Sequence, residues 1–186
     1  HSMTLLCQHK LLLSHSNPDM IERVEKAHKQ GKFFQEFKPV PHSLMDKTGT
    51  DKQIVQRNIM NHGHPSPDSW RLANWGALWD VGISTHGKLL LRAPSQAGMR
   101  FDTQFEPPIQ VYCALEHLGF AVLAYAIGPK EIWRGRYRNG VEVRHYKNSM
   151  RRIPYQIGIN TDDEYFLSNK FWEGIEEQNE MLDRSN

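Results

Sequence analysis

The amino-acid sequence predicts a domain of the α+β class built on an antiparallel sheet. Short strand-like runs alternate with segments that have helical spacing and helix start signals. The dipeptide Asn139-Gly140 separates two such runs, and both residues tolerate the positive φ angles of a tight hairpin turn. The length of 186 residues corresponds to about one domain at roughly 150 residues each. We therefore expect one domain over residues 4–150 with an extension at 151–186.

The first predicted unit is a strand, a helix and a second strand. Residues 4–14 are apolar and lack helix signals, which indicates a strand. Asn17-Pro18-Asp19 is typical of a helix start, and Gly31 is expected to end that helix. Three phenylalanines within residues 33–37, followed by Pro39-Val40-Pro41, predict a second strand with a proline-rich exit.

Residues 42–80 show helical spacing without strand alternation, which predicts an inserted helical layer after the second strand. Ser66-Pro67 is a further helix start signal. On a helical wheel Leu72, Trp75 and Trp79 fall in one sector, and Trp70 lies further round. We expect these tryptophans to fill a core, since that is their commoner use than a ligand platform.

The sequence of the second half of the domain predicts at least four strands and one helix. Strands are expected at residues 87–93 and 100–105, joined by a turn. Pro107-Pro108 opens a helix that ends at Gly119, because proline is tolerated in the first turn. Residues 120–127 then predict a buried strand ahead of the hairpin.

Charge is concentrated in two opposite blocks, although the whole chain has a net charge of only +2. Residues 130–152 carry a net charge of +6. Residues 162–186 carry −6 and contain Phe166, Phe171, Trp172 and Ile175. The extension at 151–186 is thus predicted to be acidic and to include an amphipathic closing helix.

The hairpin yields a candidate binding site. A two-residue turn at Asn139-Gly140 pairs Trp133 with Tyr146 and places Tyr137 on the same face. The opposite face then holds the candidate binding residues Arg134, Arg136, Arg138 and His145. Such a stripe could bind phosphates or an acidic protein surface. Two alternatives stay open. The arginines could lie on a solvated strand face and hinder pairing with other strands, or they could pair with the chain's own acidic extension.

Other reactive residue types give no recognisable site. Cys7 and Cys113 lie in apolar runs and are expected to be buried. His62 and His64 lack a third ligand at metal-site spacing. Glu116-His117 suits a charge near a helix end better than an acid/base pair.

Catalytic motifs are absent from the sequence. There is no glycine-rich phosphate loop, serine elbow or cysteine-histidine dyad. We therefore expect no cofactor, no metal and no enzymatic chemistry, with a pocket near Asn74, Trp75 and Asp80 as the least favoured alternative.

Composition predicts a globular protein that does not span a membrane. Hydrophobic residues make up 39% and charged residues 24% of the chain. The longest apolar run, at residues 118–127, is interrupted by Gly119 and is too short to cross a bilayer. No apolar signal segment follows Met3, so we expect a cytoplasmic location.

Two strings in mid-chain, at residues 70–80 and 101–108, resemble the YubB family, also described as Api-like proteins with a ferredoxin-like domain. The similarity extends over most of residues 4–150. It implies a ferredoxin-like antiparallel sheet with packing helices, a helical insertion and an extended hairpin. The motif residues, all expected to be structural, are Trp70, Asn74, Trp75, Gly76, Trp79, Asp80, Phe101, Thr103, Phe105, Pro107 and Pro108.

Members of that family occur in phages, plasmids and pathogenicity islands and have no established biochemical activity. The resemblance therefore implies a small accessory protein of a mobile element and transfers no catalytic residue. We expect it to bind a host or phage protein. The alternative is nucleic-acid binding through Arg134, Arg136 and Arg138, although the aromatic pattern of RNA-binding sheets is missing. Asn74 and Asp80 are expected to bond to backbone groups that the insertion leaves unpaired.

Overall fold

The structure, a computed structural model, describes residues 6–83 and 85–146. The predicted acidic extension at 151–186 and its closing helix lie outside the described residues.

Six antiparallel strands form one sheet. In chain order they are β1 (Cys7–Ser14), β2 (Gly87–Ala93), β3 (Gln96–Thr103), β4 (Ala121–Ile127), β5 (Trp133–Arg138) and β6 (Val141–Tyr146). Their order across the sheet is β2-β3-β1-β4-β5-β6. The predicted α+β class and the antiparallel sheet are therefore confirmed.

Five α-helices accompany this sheet in the described residues: α1 (Pro18–Lys29), α2 (Phe33–Phe37), α3 (Asp51–His62), α4 (Pro67–Trp75) and α5 (Ile109–His117). Helix α1 begins where the Asn17 side chain accepts a hydrogen bond from the Asp19 amide at 3.0 Å. Its buried Ile21 and Val24 join one core with Leu11 and Leu13 of β1. Val111 and Leu115 of α5 belong to the same core, so α1 and α5 pack on the same side of the sheet.

The predicted second strand at residues 33–37 is wrong, because this segment forms helix α2. The Asp80 carboxylate accepts hydrogen bonds from the amides of Phe34 at 2.6 Å and Gln35 at 2.9 Å. These contacts satisfy two of the amides that the first turn of a helix leaves unpaired. The three phenylalanines are buried, so their apolar run reflects a short core helix. The second strand of the chain is β2, and the helical insertion at 42–80 follows α2 instead of a strand.

Residues 42–80 are helical, as predicted, but Leu72, Trp75 and Trp79 do not form one sector of a helix. Helix α4 ends at Trp75, and Gly76 adopts the left-handed conformation with φ of 69°. Trp70 and Trp75 are 6% and 3% exposed, whereas Leu72 is 37% exposed. Trp79 lies beyond the helix and stacks on His86 with ring centroids 3.9 Å apart. The wheel projection failed because the helix stops four residues before Trp79.

The strands of the second half lie close to their predicted positions. Strand β2 occupies the predicted residues 87–93. Strand β3 begins at Gln96, four residues earlier than expected, and ends at Thr103. The hairpin register is confirmed pair by pair, with Trp133 opposite Tyr146 and Arg136 opposite Val143. Asn139 and Gly140 both have positive φ, as the tight turn requires.

Candidate functional site

The sheet has a second face, opposite the side on which α1 and α5 pack. Successive side chains of a strand point to opposite faces. Leu11 and Leu13 point into the core, so Lys10 and Leu12 point the other way. We call this side of the sheet the basic face, because the cationic side chains described next lie on it.

One row of the basic face crosses five strands and carries four cations. The strand register places Lys88 opposite Arg100, and Arg100 opposite Lys10. It also places Lys10 opposite Tyr125, and Tyr125 opposite Arg136. Cβ atoms of directly opposite residues lie about 5 Å apart, and like charges at that spacing destabilise a sheet. Lys88, Arg100 and Lys10 are therefore three cations in directly adjacent positions of one row.

The arginines predicted from the hairpin lie in and beside this row. Arg134 is opposite Ile127 and His145, and Arg138 is opposite Leu123 and Val141. The Arg134 guanidinium lies 3.9 Å from the Glu131 carboxylate. The structure therefore places Arg134, Arg136, Arg138 and His145 on one face, together with three cations that the sequence analysis missed. Those three are Lys10, Lys88 and Arg100, which are far from the hairpin in sequence.

An apolar cavity of about 160 Å³ opens beside the cationic row. Leu12, Leu91 and Leu123 line it together with Gly98 and Tyr125. Leu91 follows an irregularity in the pairing of β2 with β3, which turns it toward the basic face opposite Gly98. The face thus combines positive charge with a recess for an apolar group.

The two strings that carry the family resemblance lie in contact with each other. The Gly76 carbonyl accepts a hydrogen bond from the Phe105 amide at 3.1 Å. The Leu78 amide donates to the Gln104 side chain at 2.7 Å. The Trp79 indole donates to the Asp102 carbonyl at 3.1 Å. The motif therefore ties the end of the helical insertion to the end of strand β3.

The polar residues of these strings hydrogen-bond to the backbone. Asp80 caps helix α2 and also accepts from its neighbour Val81 at 2.8 Å. Burial raises the pKa of this carboxyl, although the three amide hydrogen bonds act in the opposite direction. The Asn74 amide donates to the Trp70 carbonyl of its own helix at 2.9 Å. Asp80 and Asn74, suggested as the least favoured catalytic pocket, thus have structural contacts.

The remaining motif residues surround the start of helix α5. Phe101 is buried and lies edge-on to Phe34. The Thr103 hydroxyl donates to the Glu106 carbonyl at 2.7 Å. Phe105 is 57% exposed, Pro107 is followed by Pro108, and Pro108 occupies the cap position of α5.

A buried polar cluster at the end of β1 was not foreseen. The His9 Nε2 atom lies 2.7 Å from the Thr103 hydroxyl, and the ring stacks on Phe101. Burial, together with the nearby Arg144 charge, lowers the pKa of His9 to about 3. Burial likewise raises the pKa of the adjacent Cys7 thiol to about 11. A protonated, fully buried thiol is a poor nucleophile, so this cluster is a structural one.

Metal-ligating side chains do not converge in the part of the chain that the structure describes. No group of three or more His, Cys, Asp or Glu side chains there is placed to hold an ion. His62 lies 2.7 Å from the Ser43 hydroxyl, and His64 lies 3.0 Å from the Ser69 hydroxyl. Within the same residues, every helix is too short or too polar to cross a membrane.

Comparisons with protein-family models, curated proteins and solved structures found no match to this chain. We therefore infer a function from the basic face, its cavity and the packing of the two strings.

Proposed function

We propose that this protein is a non-enzymatic accessory protein of a mobile element, similar to the YubB family, that binds a host or phage protein. We infer that the basic face is the binding surface. The observation that carries this proposal is the row of Lys88, Arg100, Lys10 and Arg136 across one side of the sheet.

The strand order supports a ferredoxin-like core. The first four strands lie in the order β2-β3-β1-β4. Helices lie between β1 and β2 and between β3 and β4 in the chain, and α1 and α5 pack on one side of the sheet. The hairpin of β5 and β6 extends this core by two strands at the β4 side.

The two strings that carry the family resemblance pack against each other. A Cβ atom at Gly76 would lie 1.9 Å from the Glu106 carbonyl oxygen, so this position requires glycine. Residues 70–80 and 101–108 thus depend on each other for their conformation. That dependence explains why a resemblance would appear in both strings together.

The chemistry of the basic face favours a protein partner over nucleic acid. Proteins that bind single strands without sequence preference stack the bases on exposed aromatic rings. The aromatic ring within the cationic row belongs to Tyr125, which is only 2% exposed. Aliphatic Leu12, Leu91 and Leu123 line the adjacent cavity instead. We therefore propose a partner surface that combines acidic and apolar side chains.

A capture experiment with a matched control tests this proposal. The full-length protein is immobilised, and nuclease-treated lysate of a bacterial host is passed over it. The face variant carries Lys88→Ser, Arg100→Ser and Arg136→Ser. The control variant carries Lys26→Ser, Lys32→Ser and Lys52→Ser, which remove the same charge from exposed positions on other parts of the surface. We expect the wild type and the control to retain a specific protein that the face variant loses.

Equal retention by all three proteins would refute the basic face as the binding surface. The nucleic-acid alternative is measured separately with a labelled oligonucleotide at increasing salt. If binding weakens steeply with salt and Arg134→Ser, Arg136→Ser and Arg138→Ser together abolish it, the partner is nucleic acid. Capture from untreated lysate that is absent from nuclease-treated lysate would point the same way.

A further inference from the structure

We propose that the acidic segment at residues 162–183 of this same chain binds the basic face and competes with the outside partner for it. The regulatory consequence rests on the proposed function, whereas the contact itself does not. The segment lies outside the described residues, and the contact is inferred from the geometry of the face and the sequence of the segment.

The charges of the two surfaces are complementary. Six cations lie on the basic face, with Asp102 on the same face and Glu131 3.9 Å from Arg134: Lys10, Lys88, Arg100, Arg134, Arg136 and Arg138. The segment contains eight acids and one lysine: Asp162, Asp163, Glu164, Glu173, Glu176, Glu177, Glu180, Asp183 and Lys170. The two surfaces therefore carry opposite net charge, which favours their association.

The segment also carries the apolar group that the cavity would accept. A cavity of about 150 Å³ lined by aliphatic side chains holds one benzene ring. The cavity beside Leu12, Leu91 and Leu123 measures about 160 Å³. The segment offers four aromatic rings among its acids, at Tyr165, Phe166, Phe171 and Trp172. One of these rings fits the recess while the acids face the surrounding cations.

The connecting chain is long enough for this contact. Strand β6 ends at Tyr146, on the edge of the sheet next to the hairpin arginines. Fifteen residues separate Tyr146 from Asp162, and in extended form they reach roughly 50 Å. Six strands at about 4.8 Å spacing span roughly 24 Å from β6 to β2. The segment can therefore reach any point of the basic face of its own chain.

Tethering makes even a weak contact effective. A short flexible connection gives an effective concentration in the millimolar range. An outside partner then binds only to the fraction of molecules whose face is unoccupied, so its apparent affinity falls in proportion. With the segment bound, only a partner at high concentration or with high affinity would occupy the basic face.

Zero-length carbodiimide crosslinking of the full chain tests the contact directly. The reagent joins a carboxylate to a lysine amine that it touches, and peptide mass mapping identifies the pair. We expect acids of residues 162–183 to be linked to Lys10 or Lys88 within single chains, independently of dilution. Lys26, Lys32 and Lys52 serve as internal controls. Links to the control lysines at equal frequency, or no links to Lys10 and Lys88, would overturn the proposal.

A peptide of residues 160–183 gives an independent measurement. The probe is titrated into the wild type and into a full-length variant with Glu173→Gln, Glu176→Gln, Glu177→Gln and Glu180→Gln. We expect the peptide to bind this variant at least about tenfold more tightly, because its face is less occupied. Adding Arg100→Glu and Arg136→Glu should remove that gain, whereas adding Lys26→Glu and Lys32→Glu should not. Equal affinities for wild type and the first variant would refute self-occupancy.

The two proposals fail in distinguishable ways. If the peptide and the crosslinks behave as expected but no host protein is retained by the Glu→Gln variant, the contact stands and the proposed function falls. If a host protein is retained equally by the wild type and that variant, the proposed function stands and the competition is refuted.

Discussion

The backbone of Gly76 lies against the carbonyl of Glu106, and a Cβ atom at Gly76 would approach that oxygen to 1.9 Å. Gly76 also has a φ of 69°, which favours glycine over other residues. This one contact joins the last turn of α4 to the segment that precedes α5. Helix α4 ends at this contact, with Gly76 as its C-cap.

We predict that Gly76→Ala destabilises the protein by at least about 2 kcal/mol, since it adds a backbone clash to the cost of a left-handed conformation. Gly63→Ala is a matched control. Gly63 caps α3 with a similar φ of 72°, but nothing lies within 4 Å of its added Cβ. The Gly63→Ala variant should lose only about 1 kcal/mol in the free energy of unfolding. Urea unfolding measures both, and equal losses would contradict the role of the Glu106 contact.

The cap of α2 gives a second prediction. Asp80→Ala leaves the partly buried amides of Phe34 and Gln35 without their acceptor, so we expect a loss of about 2 to 3 kcal/mol in the free energy of unfolding. Asp80→Asn keeps one acceptor oxygen and should lose less than half as much. The two variants are compared by urea unfolding. A similar loss in both would mean that the negative charge, and not the acceptor, stabilises the helix.

The buried His9 predicts how stability changes with acid. The unfolded chain protonates a histidine near pH 6.5, whereas folded His9 stays neutral down to about pH 3. Between these values the unfolded state binds one more proton, so the folded state loses stability as pH falls. The loss from His9 amounts to about 1.4 kcal/mol per pH unit. Burial lowers the pKa of His28 as well, which adds a loss in the same direction.

The variant His9→Leu isolates this effect. It lowers stability at pH 7 because the Thr103 contact is lost, but the slope of unfolding free energy against pH between 4 and 6 should decrease by about 1.4 kcal/mol per unit. The slope is obtained from urea unfolding at several pH values. An unchanged slope would show that folded His9 becomes protonated in this range.

The two thiols should differ in reactivity. Cys7 is fully buried and its pKa is raised to about 11, whereas Cys113 is only partly buried. At pH 8 we expect a thiol reagent to label one cysteine per folded chain, and Cys113→Ser to abolish this labelling. Denaturation should expose the second thiol. Rapid labelling of Cys7 in the folded Cys113→Ser variant would contradict its burial.

Some elements could be predicted from neighbouring residues, whereas others depend on contacts with residues that are distant in sequence. The hairpin register follows from a two-residue turn, so the pairing of Arg136 with Val143 could be predicted from nearby residues alone. Helix α2 could not be predicted from nearby residues, since its cap comes from Asp80, which lies 46 residues from Phe34. The end of α4 likewise depends on Glu106, which the helical wheel does not contain.

The same distinction applies to the candidate site. The sequence places the arginines of β5 on one face, because alternation within a strand is local. It does not place Lys10, Lys88 and Arg100 beside them, because that requires the order of strands in the sheet. Lys10 and Arg100 each lie between two buried residues of their strands, and this alternation could have suggested it once the neighbours of those strands are known.

The position of β1 between β3 and β4 has a consequence for biosynthesis. His9 is made 94 residues before Thr103, the partner of its side chain. At about 5 to 20 residues per second, the ribosome needs roughly 5 to 20 s to supply that partner. During this interval the apolar residues of β1 have no sheet to join, because both of its neighbours, β3 and β4, are made later in the chain.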